Sequence, residues 1–163
     1  MQFMNTLRSR LKDQRGFNLI ELMIVIAIIG LLIGVGSLAW GAMIRSGNEA
    51  SAATILDRMR VYQAQYASRN RGRFAKFDEL IQAGVVDAQY AGDAPVVNGY
   101  SFTLNIVEPS SAGPGSYEVW ADPQVPTGVT ATGNRHFYTS SSIGGIKATT
   151  ENRKAKLDDD PIS

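Results

Sequence analysis

The sequence of 163 residues contains no cysteine and a single histidine, His136. The absence of cysteine excludes disulfide bonds and thiolate metal sites, so a folded domain outside the cytoplasm would depend on packing and hydrogen bonds alone. One histidine leaves little for histidine-based catalysis or for a zinc site. We therefore interpret His136 as a strand residue.

An excess of charge of one sign is also missing. The 16 Lys and Arg residues against 15 Asp and Glu give a formal net charge of +1, which indicates no dominant polyanionic partner. One basic cluster is interleaved with two aromatic residues: Arg69, Arg71, Arg73, Phe74, Lys76 and Phe77. Because the cluster is small and lies in no nucleic-acid-binding motif, it favours a solvated loop or a subunit contact over nucleic-acid binding.

Motifs for catalysis, cofactors and metals are missing as well. The chain has no nucleotide-binding glycine loop and no pairing of a nucleophile with a base, so we predict no enzyme and no cofactor. The acidic run Asp158–Asp160 lacks EF-hand spacing, which favours a solvated tail over a calcium site. Asp93 and Asp122 lie in predicted loops, where nothing fixes a cation geometry. We therefore predict no metal site.

Proline is absent before Pro95, and charge is absent from Leu22 to Ile44. These 23 uncharged residues would form a helix about 35 Å long, which is enough to cross a bilayer. Residues 1–16 contain one acidic residue, Asp13, and four basic residues: Arg8, Arg10, Lys12 and Arg15. The positive-inside rule then predicts a single span with the C-terminal part outside.

Two simpler interpretations of this segment leave something unexplained. A secretory signal peptide would have a shorter apolar core and a small-residue cleavage site after it. A plain membrane anchor accounts for neither Glu21 nor the Gly16-Phe17 junction. A lone carboxylate at the bilayer centre costs about 2.5–3.5 kcal/mol on insertion scales, although Glu21 could also reach water by snorkelling.

Residues 16–25, Gly-Phe-Asn-Leu-Ile-Glu-Leu-Met-Ile-Val, resemble the N-terminal signature of type IV pilins and their pseudopilin relatives. A basic leader ends in glycine, phenylalanine follows, and a glutamate lies four residues further on in a long apolar helix. The resemblance implies that residues 1–16 are a leader peptide. A prepilin peptidase would cut after Gly16, and the new amine of Phe17 would be N-methylated.

The resemblance also implies how the helix is used. Glu21 would pair with the Phe17 amine of a neighbouring subunit and thereby set the register of a filament. Residues 17–44 would form the membrane and filament-core helix. Gly30, Gly34 and Gly36 would let neighbouring helices approach closely. Many pilins have a proline in this region, which this chain lacks.

Beyond Arg45 we predict that the helix continues over residues 45–68 as an amphipathic segment. Its apolar stripe is Ala52, Ile55, Met59, Tyr62 and Tyr66. A break at Gly72 and a short helix from about Lys76 to Ala83, closed by Gly84, follow. The buried face of the short helix is predicted to be Phe74, Phe77, Leu80 and Ile81.

Three segments with strand patterns come next, at residues 100–107, 116–121 and 134–141. Gly144-Gly145 predicts a tight turn after the third. We therefore predict an α+β fold, in which a long N-terminal helix packs on a small antiparallel sheet, with a head over residues 69–150 and a polar tail over 151–163. This is also the pilin fold that the resemblance implies.

The leading hypothesis is a structural subunit of a type IV pilus. It would be inserted in the inner membrane, processed by the prepilin peptidase and methyltransferase, and polymerised by an assembly machinery into a homo-oligomeric surface filament. A pseudopilin of a type II secretion system, which builds a periplasmic fibre, is the alternative. A membrane-anchored binding or enzymatic domain ranks third, and it would keep its function without residues 1–45.

Overall fold

A computed structural model describes residues 16–111 and 113–162. The described chain contains a long helix, a short helix, a 3₁₀ turn at Ala88–Tyr90 and a six-stranded sheet. The helices are α1 (Leu19–Arg69) and α2 (Phe77–Gln82), and the strands are β1 (Val96–Val97), β2 (Tyr100–Val107), β3 (Ser116–Pro123), β4 (His136–Ser140), β5 (Lys147–Thr149) and β6 (Asp160–Pro161). The contacts divide the chain into two units, residues up to Ala39 and residues from Trp40 onward.

The first unit is the apolar beginning of α1. All of its described side chains up to Gly36 are exposed in a single chain. By length and composition α1 could cross a membrane, and none of its most apolar stretch is buried. The predicted leader, apart from Gly16, lies outside the described residues.

In the second unit, the later part of α1 packs on the sheet, as predicted for an α+β fold. The strands follow one another in the order β1 to β6, and each pairs antiparallel with the next. Side chains alternate along β3, so that Tyr117, Val119 and Ala121 are buried against the helix while Trp120 lies on the other face. The predicted strand over residues 100–107 is confirmed with those bounds.

The predicted apolar stripe of α1 is confirmed in part. Ala52 and Met59 are buried, and Ile55, Tyr62 and Tyr66 pack half-buried at its sides. The two residues that complete its centre, Leu56 and Gln63, are fully buried. The apolar pattern does not predict the burial of Gln63, because its side chain is polar.

Gln63 is buried because its side-chain amide pairs with a backbone segment. Its Nε2 donates to the carbonyl of Ala75 and its Oε1 accepts from the Ala75 N–H, both at 2.7 Å. Ala75 is itself fully buried, so neither of its backbone groups has access to water. The pair fixes the segment after Gly72 against α1.

α2 agrees with the predicted short helix, and Gly84 follows its end with a φ of +70°. Leu80 and Phe77 are its buried residues, while Phe74 and Ile81 pack half-buried beside them. The Glu79 carboxylate accepts from the Lys76 N–H at 2.9 Å, and this bond secures the first turn.

Glu79 also joins α2 to the end of α1. Its carboxylate accepts from the Tyr66 hydroxyl at 2.6 Å and from the Arg73 guanidinium at 2.5 Å. Burial alone raises the pKa of Glu79, but the hydrogen bonds from Arg73, Tyr66 and Lys76 outweigh burial and lower the pKa to about 2.

The described residues of the predicted polar tail, 151–163, contribute a strand to the sheet. β6 pairs with β5 through Lys147 and Ala148, and the Ile162 N–H donates to the carbonyl of Ile146. Ala155 is buried, and its carbonyl accepts from the Trp120 indole at 3.1 Å. The polar composition of the segment does not predict its pairing with the sheet, because the segment is held mainly through its backbone.

We predict that Gln63→Leu lowers the free energy of unfolding by about 2–4 kcal/mol, because it leaves the buried N–H and carbonyl of Ala75 without partners. Urea unfolding of the full chain in detergent measures this. Gln65→Leu is the matched control, since Gln65 is exposed two residues further along α1. Equal stability of the two variants would contradict the role assigned to Gln63.

A second prediction concerns acid. Because the folded pKa of Glu79 lies below its ordinary value of 4.5, its stabilisation is complete above that pH and is lost as the pH falls toward about 2. Glu79→Gln should therefore lower the unfolding midpoint at pH 7 and flatten its decline below pH 4.5. Asp78→Asn, exposed one residue earlier, should leave both unchanged. Identical pH profiles for Glu79→Gln and the unchanged chain would refute the assignment.

Candidate assembly segment and its processing junction

The junction between Gly16 and Phe17 lies just before α1 begins. The Phe17 side chain is 84% exposed, and a Cβ added to Gly16 would meet no atom within 4 Å. Neither residue belongs to a helix or strand. The backbone at this junction is therefore accessible and can adopt an extended conformation, as a protease substrate must.

Asn18 starts the helix. Its side-chain Oδ1 accepts from the Ile20 N–H at 3.3 Å, and its carbonyl accepts from the N–H groups of Glu21 and Leu22 at 3.0 and 3.2 Å. Asparagine is among the preferred N-cap residues. No role is predicted for Asn18 from the sequence, although a capping residue directly before an apolar run is a recognisable signal of a helix N-terminus.

The N-cap places Glu21 in the first turn of α1. A carboxylate there is favoured by the positive end of the helix dipole. Glu21 is exposed, and within the described ranges no cation or hydrogen-bond donor pairs with its side chain. Its carboxylate is therefore open to solvent in the single chain.

Gly30, Gly34 and Gly36 lie further along the same exposed part of α1. A Cβ added to any of them would meet nothing within 4 Å. The described residues therefore leave space for a side chain at Gly30 and Gly36, although each glycine weakens the helix by about 1 kcal/mol relative to alanine.

Within the acidic run Asp158–Asp160, Asp159 is held by an arginine and by a backbone N–H. Asp159 accepts from Arg153 at 2.5 and 2.9 Å and from the Lys156 N–H at 2.6 Å. These bonds lower the pKa of Asp159 to about 2. No group of three or more acidic or histidine side chains that could hold a metal occurs within residues 16–111 and 113–162.

His136 and Asp122 form a pair on the sheet face opposite α1. Asp122 lies in β3, not in a loop as predicted, and its Oδ1 is 2.6 Å from His136 Nδ1. His136 is in β4, as its interpretation as a strand residue requires, and its Nε2 is buried without a partner in the described chain. His136 is 6% exposed, so its imidazole belongs to the packed interior of this unit.

The basic cluster does not form one continuous positive face. Arg73 binds Glu79 and lies over the ring of Tyr66, while Arg69 and Arg71 are exposed. Phe77 is buried and Phe74 packs edge-on against Tyr117, so neither aromatic ring is available for stacking on a base.

Comparison with known proteins identifies the segment. Residues 11–37 match the family model described as the prokaryotic N-terminal methylation motif. Neither the curated proteins nor the solved structures contain a match to this chain. The match covers the processing junction, Glu21 and the three glycines, and it leaves the sheet-containing unit outside.

Proposed function

Because the chain carries the prepilin-type methylation motif of type IV pilins and pseudopilins, we propose that it is a structural subunit of a type IV pilus. It is made as a prepilin, cleaved after Gly16, N-methylated at Phe17 and polymerised into a helical filament. The observation that carries the proposal is the exposed apolar helix that begins at this processing junction. The motif points to a structural subunit rather than an enzyme.

The apolar surface of α1 requires a cover. Every described side chain from Phe17 to Gly36 is exposed, and most of them are large hydrocarbons. Water is an unfavourable environment for a surface of this kind. A bilayer covers it in the monomer, and the same segment of other copies covers it in a filament. Transfer from lipid to filament then exchanges one apolar environment for another.

Glu21 gives this exchange a direction and a register. In a filament the carboxylate leaves the aqueous interface and becomes buried among apolar helices. A buried charge without a partner costs several kcal/mol, so assembly requires a cation at a fixed position. The methylated amine of Phe17 on a neighbouring copy is such a cation, and it is created only by cleavage after Gly16.

The glycines fit the same arrangement. Helices that meet in an apolar environment associate by close packing, and small residues allow their backbones to approach. Gly30 and Gly36 have space for a side chain in the single chain. We propose that this space is filled by α1 of neighbouring copies. Gly30 and Gly34 are four residues apart and lie on one face of the helix, whereas Gly36 lies on a different face.

Localisation and partners follow from these steps. The chain inserts in the inner membrane with its basic leader in the cytoplasm and its sheet-containing unit outside. The prepilin peptidase and methyltransferase act at the cytoplasmic face. An inner-membrane assembly machinery then moves the subunit into the filament, which is displayed on the cell surface.

A type II secretion pseudopilin is the second candidate, because pseudopilins carry the same N-terminal motif. Such a subunit would be processed in the same way and would build a short fibre in the periplasm. Electron microscopy of material sheared from cells distinguishes the two, since only pili are recovered as long surface fibres.

The processing step predicts the mature N-terminus. Mass spectrometry of the native protein should find chains that begin at N-methylated Phe17. Gly16→Val should abolish cleavage, because a branched side chain restricts the backbone that the peptidase must bind. Gly47→Val in α1 is the control and should be cleaved normally. Chains that retain residues 1–16 in the native protein would overturn the proposal.

The charge pair predicts a separation of insertion from assembly. Glu21→Ala should be inserted and processed but should yield no filaments, because the Phe17 amine of a neighbour would be buried unpaired. Asp78→Ala, at an exposed position in the other unit, is the control and should form filaments normally. Normal filaments from Glu21→Ala, counted by electron microscopy after shearing, would refute the pairing.

A further inference from the structure

A loop of the sheet-containing unit is attached to α1 just after the apolar run ends. The basal loop comprises residues 125–132 between β3 and β4. The Asn48 side chain donates to the carbonyl of Thr132 at 2.9 Å, and the Asn134 N–H donates to Glu49 at 2.8 Å. Asn48 is four residues beyond Ile44, which is about 6 Å along a helix. The loop is therefore held at the level where the apolar run gives way to polar residues.

The basal loop has a fixed shape. At its neck the Thr132 N–H donates to the Val125 carbonyl at 2.8 Å, and the Thr132 hydroxyl donates to the Gly99 carbonyl at 2.7 Å. Gly99 has a φ of +72°, and a Cβ there would come within 2.6 Å of the Thr132 Cβ. At the tip the Ala131 N–H bonds the carbonyl of Gly128. The loop presents its tip as a preformed surface.

The tip carries an apolar side chain that none of the described residues covers. Val129 is 89% exposed, the largest exposure among the described large hydrophobic residues. Its neighbours are small and uncharged: Thr127, Gly128 and Thr130. An isolated exposed valine needs no explanation by itself, but this one lies on a loop whose last residue is bonded to Asn48, four residues beyond the apolar run.

The adjoining turns of α1 supply those residues. Trp40 and Met43 are 67% and 70% exposed. Arg45 is the first charge after the apolar run, and its Nη1 lies 3.6 Å from the position of a Cβ on Gly41, so the guanidinium reaches back one turn toward that run. Tryptophan and arginine at the end of an apolar helix are typical of the lipid headgroup layer.

We propose that Trp40, Met43, Arg45 and the basal loop form a basal face that rests in the headgroup layer of the outer leaflet before assembly. This inference relies on the membrane insertion in the proposed function. The headgroup layer is roughly 5–8 Å thick on each side of the hydrocarbon, which matches the rise from Ile44 to Asn48. Arg45 contacts lipid phosphate, while Val129 and Trp40 contact the acyl boundary.

With this contact the monomer binds the bilayer at two places, through the apolar helix and through the basal face. The apolar helix alone leaves the sheet-containing unit free to tilt and rotate above the membrane. A second, weaker contact through Val129 restricts that freedom and fixes which face of the unit is turned toward the lipid. Entry into the filament must release this contact, so the basal face retains unassembled subunits at the membrane surface.

The absence of cysteine allows a direct test with single nitroxide labels. The full chain carrying Val129→Cys is labelled and reconstituted in vesicles of phosphatidylethanolamine and phosphatidylglycerol. Accessibility of the label to oxygen and to a water-soluble nickel complex is then measured by electron paramagnetic resonance. Val107→Cys is the matched control, because Val107 is an exposed valine at the opposite end of β2 from the Gly99 contact. Ile33→Cys reports on the span itself.

The expected oxygen-to-nickel ratio at residue 129 lies between the high ratio at residue 33 and the low, aqueous ratio at residue 107. A ratio at 129 equal to that at 107, with 33 in hydrocarbon, overturns the basal face and leaves the proposed function standing. An aqueous ratio at 33 overturns both. A label at 129 shielded from both reagents, with broadening that grows with protein concentration, assigns the face to a second copy and also overturns the inference.

Discussion

The structure depends on a hydrophobic surface that one copy of the chain cannot bury. From Phe17 to Gly36, α1 exposes its described side chains on all sides, whereas its later turns are buried on one side by the sheet. Burial of apolar area is the dominant favourable contribution to folding and association, so the first segment is satisfied only by lipid or by other copies. A carboxylate such as Glu21 would require a cation if it were buried among apolar helices. On the proposed function, cleavage after Gly16 would supply that cation as the amine of Phe17.

In the sheet-containing unit, the later part of α1 packs against the sheet and joins α2 at its end. Leu56, Met59 and Gln63 belong to the core of that unit, and Gln63 replaces water at the backbone of Ala75. Tyr66 and Arg73 meet at the Glu79 carboxylate, which joins the end of α1 to α2. The methylation motif matches only residues 11–37. The methylation motif and the packed core of the sheet-containing unit thus lie in different parts of the chain.

Elements with strong local patterns were predictable. β2 alternates apolar and polar residues and ends where its pattern ends, and α2 is bounded by Glu79 in its first turn and by Gly84 after its last. Asn18 was recognisable in principle as an N-cap residue. Gln63, Asp122 and Ala155 were not predictable in the same way, because each is held by a partner remote in sequence: the backbone of Ala75, the ring of His136 and the indole of Trp120. No periodicity encodes such pairs.

The sequence by itself determined the methylation motif, the apolar span and the α+β class, since each depends on residue type and spacing over a short window. Tertiary structure decided that the polar C-terminal residues add β6 to the sheet, that His136 is buried against Asp122, and that the basal loop is attached to α1 through Asn48 and Thr132, which are 84 residues apart. The physical reason is that these contacts satisfy backbone and side-chain polar groups, which nearly every residue possesses. Only the folded chain selects which of them meet.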